Sequence, residues 1–307
     1  MIKEVSSCAA VIVAFEDPRG LIGILRSAAA NRPGFIIVVD NSVDLANRAE
    51  NERIANSFGA LYLPQPQNIG SAGGFAVGME RGYRSGAEWV WLLDQDGLAA
   101  DDCLEKLLEN VQRGILCPAV EAIDGGYPLP DFRCVLNFWG GIVPVGDAGG
   151  VIEIALAGTH GILIHRDVME AAGFYDGKRF FVGREDFDYS LRAARAGFGL
   201  WLVPDAKVFH PDLSQKSGLS ETARSLRRIA RATSRFTPQF LGFLRGNINP
   251  QAYDRRALMI KFNMERLSGF RLFAAVVYSA VTLFLLKLAG LDIRLLDTLK
   301  IYRSAFK

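Results

Sequence analysis

The chain has 307 residues, half of them hydrophobic and 22% charged, with a formal net charge of +2. That balance excludes a disordered chain and gives no global attraction to nucleic acid, so no nucleic-acid partner is expected. The length allows one large core or two modest ones.

The elements follow in chain order. Ala9 to Phe15 is a short, wholly apolar run and is predicted to be a buried strand. Leu21 to Ala30 places Leu21, Ile24, Leu25 and Ala28 at helical spacing. Phe35 to Val39 is a second buried strand, ended by Asp40-Asn41-Ser42. Leu45 to Ser57 is predicted helical, Ala60 to Leu63 a third strand, Ala72 to Gly86 a helix, and Trp89 to Leu93 a fourth strand. Asp101 to Gly114 is predicted to be a helix with Leu104, Leu107, Leu108 and Val111 inward. Residues 120–150 are rich in Gly and Pro and are predicted to be loops and short strands with aromatic walls. Ile162 to Ile164 is a strand, Val168 to Gly173 a short helix, Asp186 to Gly197 a helix and Leu200 to Val203 a strand. Strands that are apolar along their whole length, alternating with helices, imply an α/β fold. Its central sheet is expected to be mostly parallel, with helices on both faces. Ligands bind outside the carboxyl ends of such strands, so polar residues there are the candidates.

Asp94-Gln95-Asp96 directly follows the fourth strand. Two carboxylates at i and i+2 on a loop can converge on one divalent cation, and hard cations such as Mn²⁺ or Mg²⁺ take oxygen ligands shared with substrate phosphates. An ordinary polar turn is the plainer alternative. Glu185, Asp186 and Asp188 stand within four residues at a predicted helix start, after apolar Phe180, Phe181 and Val182. Acidic residues there complement the helix dipole, yet a carboxylate in a partly apolar pocket can also serve as a base. His210 ends a strand-like stretch before Pro211, and imidazole completes many metal sites. Asn68-Ile69-Gly70-Ser71-Ala72-Gly73-Gly74 opens a helix. It has no Walker lysine, and its small residues either admit a ligand's phosphates to the backbone or let the helix pack closely on the sheet.

These signals, in this order, resemble the family-2 inverting glycosyltransferases with the GT-A fold. The resemblance covers about residues 7–215 and rests on Val38-Val39-Asp40-Asn41-Ser42, the Asn68–Gly74 run, Asp94-Gln95-Asp96, Glu185-Asp186-x-Asp188 with Arg192, and Phe209-His210. Within the family the NxGxAGG run and the Leu-Leu-Asp-Gln-Asp form resemble bacterial rhamnosyltransferases and galactofuranosyltransferases of cell-surface polysaccharide assembly. The resemblance implies that Asp40 contacts the donor base, with Asn68, Gly70, Gly73, Gly74 and Asp94 completing the nucleotide-sugar site. Asp94, Asp96 and His210 would hold Mn²⁺ or Mg²⁺. Asp186 would be the general base, with Glu185 and Asp188 beside it as further candidate catalytic carboxylates. The expected donor is dTDP-rhamnose, with a UDP-linked sugar such as UDP-galactofuranose as the alternative, and the expected acceptor is a saccharide or lipid-linked saccharide. Two departures stand out: Phe15-Glu16 replaces a commoner Tyr-Asn-like pair after the first strand, and Gly158-Thr159-His160-Gly161 replaces a run of small residues. His160 therefore either touches donor or acceptor, or packs. A nucleotidyltransferase is disfavoured because Glu16-Asp17-Pro18-Arg19-Gly20 is a poor activation loop, and a non-catalytic binding module because every carboxylate group is present.

Cys8, Cys103, Cys117 and Cys134 form no CxxC pair and no zinc-like spacing, and the start Met1-Ile2-Lys3-Glu4 lacks a long apolar signal. Both features lead us to expect a cytoplasmic protein. A boundary is expected near residue 215. Between Leu213 and Arg271 there are twelve Lys and Arg against three Asp and Glu, and Arg224, Arg227, Arg228, Arg231 and Arg235 recur at helical steps. Residues 216–307 are thus expected to be mainly helical, meeting the inner membrane face peripherally or a second copy of the chain. The apolar run Leu272–Leu286 is too short to span a bilayer.

Overall fold

The computed structural model describes residues 5–110, 112–125, 128–129, 132–136, 142–145, 148–183 and 185–211. The expectations for residues 216–307 lie outside them. The chain divides into two compact units, Met1–Val135 with Pro144–Asp212, and Leu136–Val143 with Leu213–Lys307; the first holds nearly all the described residues.

A single 3₁₀ turn, Val5–Ser7, leads into β1 (Cys8–Ala14), α1 (Pro18–Ala30), β2 (Phe35–Asp40), α2 (Leu45–Ser57) and β3 (Leu61–Pro64). Then come α3 (Gly70–Arg84), β4 (Trp89–Asp94), β5 (Leu98–Ala99), α4 (Cys103–Leu108), β6 (Ile115–Ala122), β7 (Arg133–Leu136), β8 (Ile142–Pro144) and β9 (Ile152–Ile154). The series closes with β10 (Leu156–Ala157), β11 (Leu163–His165), α5 (Arg166–Ala172), α6 (Glu185–Arg195) and β12 (Leu200–His210). The main sheet runs β3-β2-β1-β4-β11-β6-β12-β5, with β9 also on β12. β10 pairs antiparallel with β7 in a separate small sheet.

The expected α/β fold with a sheet covered on both faces is present. Alternate residues of β1 point to opposite cores: Cys8, Ala10 and Ile12 pack with α1, α2 and α4, and Ala9 and Val11 pack with α3. The strands are buried on both sides, which is why they read as continuous apolar runs. The sheet is mostly parallel, as expected, with three short strands running the other way. β1 to β4 are parallel, but β11 runs antiparallel to both β4 and β6, and β5 and β9 are antiparallel to β12. Periodicity reports burial, not strand direction, so this inversion left no trace in the pattern.

Two elements differ in length from expectation. The helix expected over Asp101–Gly114 is the single short α4. Its end is closed by the Asn110 amide, which donates to the carbonyls of Lys106 and Leu107. A side chain thus takes carbonyls that a further helical turn would use. β12 is eleven residues long where a strand over Leu200–Val203 is expected. Pro204 lies in a register shift between Val203 and Lys207, so its missing N–H costs no ladder bond.

α3 lies against β1 because it is lined with glycine. A methyl at Gly78 would stand 2.1 Å from Val11 Cγ1, and one at Gly74 2.7 Å from Val13 Cγ1. Gly78→Val should therefore overpack the helix–sheet interface and cost about 2–3 kcal/mol. A lower denaturant midpoint at unchanged m-value checks this.

Candidate functional site

The carboxyl ends of β1, β2 and β4 lie side by side, with Ala14 opposite Asp40 and Val13 opposite Asp94. Three loops start there and are tied together by polar side chains. Glu16, at φ 52, accepts the N–H groups of Val43 (2.6 Å) and Asp44 (3.0 Å) and the Asn47 amide, while its own N–H donates to Ser42 Oγ. Its carboxyl is held below the usual range, chiefly by the Asp44 N–H and the Asn47 amide. Gln95 accepts the Phe15 N–H at 2.7 Å and donates to the Asp17 carbonyl.

Asp40 is held within the fold by its own hydrogen bonds. It is wholly buried, and both oxygens are engaged: Oδ1 by the Ser42 N–H, Oδ2 by the Tyr62 hydroxyl at 2.6 Å and the Asn51 amide. The glycine run is likewise held within the fold. Gly70, Gly73 and Gly74 are buried, and the space a Cβ would need is taken by protein. At Gly70 it meets the Phe181 carbonyl at 2.0 Å. Gly74 abuts Val13, and a Cβ on Gly177 would come within 2.6 Å of Gly73 Cα. The close-packing alternative holds for this run. Asn68 accepts the Gly70 N–H and so starts the helix, and the Asn41 amide donates to the Gly70 carbonyl.

Asp94 and Asp96 are brought to His210 by β5. After the turn closed by the Gly97 N–H on the Asp94 carbonyl, Leu98 and Ala99 pair with Phe209 and Val208 at the end of β12. Asp96 Oδ1 then lies 3.2 Å from His210 Nε2, and Asp94 Oδ2 lies 2.5 Å from His160 Nδ1. The two imidazole centroids are 4.4 Å apart, and the Phe132 ring packs edge-on to both. Burial alone would depress the His210 imidazole, but the carboxylates of Asp96 and Asp94 outweigh it and the net shift is upward. Asp96 is held below its usual value, chiefly by the His210 hydrogen bond. Asp94, His160 and His210 line one pocket with Leu93, Gly161 and Phe209.

Two carboxylates and two imidazoles form a donor set suited to Mn²⁺ or Mg²⁺. Among the described residues no group of three His, Cys, Asp or Glu side chains is placed to hold a metal ion by itself. Such ions usually take only one or two carboxylates from protein and complete their shell with phosphate and water, so an open set fits them.

The acidic cluster at the start of α6 divides. Asp188 is buried, bonded to Arg192 Nε at 2.8 Å and Arg179 Nη1 at 3.4 Å, while Arg192 also holds the Ala172 and Phe174 carbonyls. Glu185 is buried and accepts the Ser71 hydroxyl at 2.7 Å, joining α6 to α3. Asp188 thus ties α6 to Arg179 and Arg192 within the fold. Asp186 lies near Gly158: a Cβ there would stand 3.6 Å from its Oδ2 and 3.4 Å from both His160 Cδ2 and Phe132 Cδ1. Its Oδ1 accepts the Phe187 N–H.

Arg133 was invisible in the sequence. It is buried, and its guanidinium donates to the carbonyls of Pro118, Phe132, Gly158 and His160. No motif marks a side chain whose partners are all backbone.

The mostly parallel sheet with helices on both faces is a GT-A-like α/β fold. Residues 10–130 match the family model described as "Glycosyl transferase family 2". The galactofuranosyltransferase GlfT1 of Mycobacterium tuberculosis is 29% identical over 214 residues, covering 66% of this chain and 69% of that protein. The same enzyme of Mycolicibacterium smegmatis is 30% identical over 192 residues, 59% of this chain and 62% of that one. A solved structure of GalNAc-T7 with UDP, GalNAc and Mn²⁺ shares the fold, with TM-score 0.54 and 16% identity. It aligns over 66% of this chain and 43% of its own, so the present chain spans less than half of it. The chain thus carries a family-2 glycosyltransferase domain, homologous to galactofuranosyltransferase GlfT1.

Asp188→Ala should lower stability by about 2 kcal/mol in metal-free protein, since two guanidinium groups lose a shared carboxylate. An unchanged denaturation midpoint would mean that the carbonyls of Ala172 and Phe174 hold Arg192 by themselves.

Proposed function

We propose that the chain transfers galactofuranose from UDP-galactofuranose, with inversion, to a hydroxyl of a saccharide or lipid-linked acceptor. The observation that carries this reading is the corner at Gly158, whose Cβ position lies within 4 Å of both Asp186 and His160, the latter bonded to Asp94. Similarity to galactofuranosyltransferases favours this donor over the rhamnose expected from sequence.

Asp94, Asp96 and His210 would hold a divalent cation that supplies positive charge to the departing diphosphate. Asp186, its Oδ1 tied to the Phe187 N–H, would accept the proton of the acceptor hydroxyl at a carboxylate oxygen. The acceptor oxygen forms its bond to the anomeric carbon as the bond to the diphosphate breaks, and UDP leaves with the electron pair. One displacement inverts the centre. Asp40 and Glu16 would act indirectly, by fixing the loops after β1 and β2 beside the donor. Residues 216–307 are the segment we assign to lipid-surface or subunit contact.

Turnover of UDP-galactofuranose, UDP-galactopyranose and dTDP-rhamnose, each with and without Mn²⁺, tests the donor. Turnover of dTDP-rhamnose but not of UDP-galactofuranose would restore the rhamnose reading. Asp186→Asn should reduce transfer by about 10²–10⁴-fold while calorimetric UDP affinity is kept; a matching loss of UDP binding would make Asp186 structural instead.

A pH dependence follows from His210. Its folded-state pKa is raised, so the stabilising Asp96–His210 contact is fully present below the unfolded value and is lost as pH rises through the folded one. Asp96 stays ionised throughout, because its own shift is downward. A proton and a cation compete for the His210 ring, so Mn²⁺ affinity should climb with pH, by up to about tenfold per unit, until the raised titration is passed. Flat affinity across pH 5.5–8 in a Mn²⁺ titration would remove His210 from the cation site.

A further inference from the structure

We infer that His160 is a positioning residue, whose Nδ1–H fixes the Asp94 carboxylate for cation binding. The inference rests on the cation site proposed above and adds a residue that the ligand set Asp94, Asp96 and His210 does not contain.

The ring is held on every side. Its Nδ1 is 2.5 Å from Asp94 Oδ2, with both side chains largely buried (18% and 22% exposed). Phe132 packs against it at 3.9 Å between centroids and His210 at 4.4 Å. The backbone beneath is equally fixed. Arg133 Nη2 donates to the His160 carbonyl at 2.6 Å. Gly161, at φ 73, donates to the Leu92 carbonyl and accepts the Trp91 indole N–H at 3.0 Å. Only glycine fits at 161, since a Cβ would stand 2.5 Å from Val208 Cγ1 and 3.0 Å from Pro118 Cγ. The loop therefore cannot slide, and the imidazole is presented to Asp94 in one place.

The chemistry follows. Asp94 ends β4 and, without a partner, would rotate about χ2 and lose entropy on binding a cation. An N–H on Oδ2 selects one rotamer and leaves Oδ1 for a cation. Hydrogen-bond partners of metal ligands typically contribute 10–100-fold in affinity. With both rings neutral the set carries two negative charges, which one divalent cation balances.

Asn and Gln separate this role from others, because an Asn amide nitrogen falls near the position of Nδ1 and a Gln amide nitrogen near that of Nε2. The experiment uses the full chain and reads free Mn²⁺ by electron paramagnetic resonance, with thermal melts in EDTA to confirm folding. His160→Ala and His160→Gln should weaken Mn²⁺ binding by about tenfold or more, and His160→Asn should restore affinity to within about threefold of wild type. Wild-type affinity in His160→Ala, with Asp94→Ala abolishing binding, overturns the inference and leaves the cation site standing. Better retention by Gln than by Asn would also overturn it, making Nε2 the working atom. Asp94→Ala at wild-type affinity would sink the cation site and the inference together. Should His160→Ala fail to fold, the Asn–Gln comparison decides alone.

Discussion

The pairing of Leu98 with Phe209, and of Ala99 with Val208, joins two stretches of chain more than a hundred residues apart, and the candidate site depends on it. β5 is only two residues long. By itself so short a strand is not stable in water. It forms here because β12 continues past Pro204 as far as His210, which requires the register shift between Val203 and Lys207. A strand ending at Val203 would leave the Asp96 turn with nothing to pair with. Pro204 is thus accommodated by the bulge that allows the far end of β12 to reach the acidic turn.

Burial then sorts the charged residues. A carboxylate removed from water must be matched by donors. Asp40 has three, Asp188 has two guanidinium groups, and Glu185 has at least the Ser71 hydroxyl. Each of these is fixed within the fold, which limits what it can do for a substrate. Asp94 and Asp96 each meet one imidazole, and Asp186 has the N–H of Phe187 among its contacts. The same motif letters therefore separate into framework and candidate chemistry once the donors are located.

The four parallel strands and the helices between them were legible because each is a local pattern. Apolar runs such as Ile36–Val39 and Val90–Leu93 are buried on both faces and leave no doubt about their state. Asp94, His210 and Asp186 could be picked out as candidates because each stands at an element end, the usual place for ligand contacts in such folds. What could not be read has long-range causes. Gly70, Gly73 and Gly74 look like a phosphate cradle, but they admit Phe181, Gly177 and Val13, all distant in sequence. The antiparallel course of β11 and the place of Arg133 depend on neighbours that no window of residues contains. His160 could be singled out as a departure from a run of small residues, but its contact with Asp94 needed the fold.

The loops after β1, β2 and β4 are bound to one another before any donor arrives, through Glu16 and Gln95. Rigidity of this kind moves the cost of ordering from binding to folding, so a donor loses less free energy when it docks. It also bears on the Phe15-Glu16 departure. An exposed aromatic at Phe15 is followed by a residue in the left-handed region, and the strain of a non-glycine there is tolerated only where surrounding bonds hold it. Glu16 has four such bonds, counting its own N–H to Ser42. Removing them would release Phe15 and Ser42 together, one from each loop. Glu16 is therefore the residue through which the first and second strands keep a common edge, although it stands at the surface rather than within the pocket.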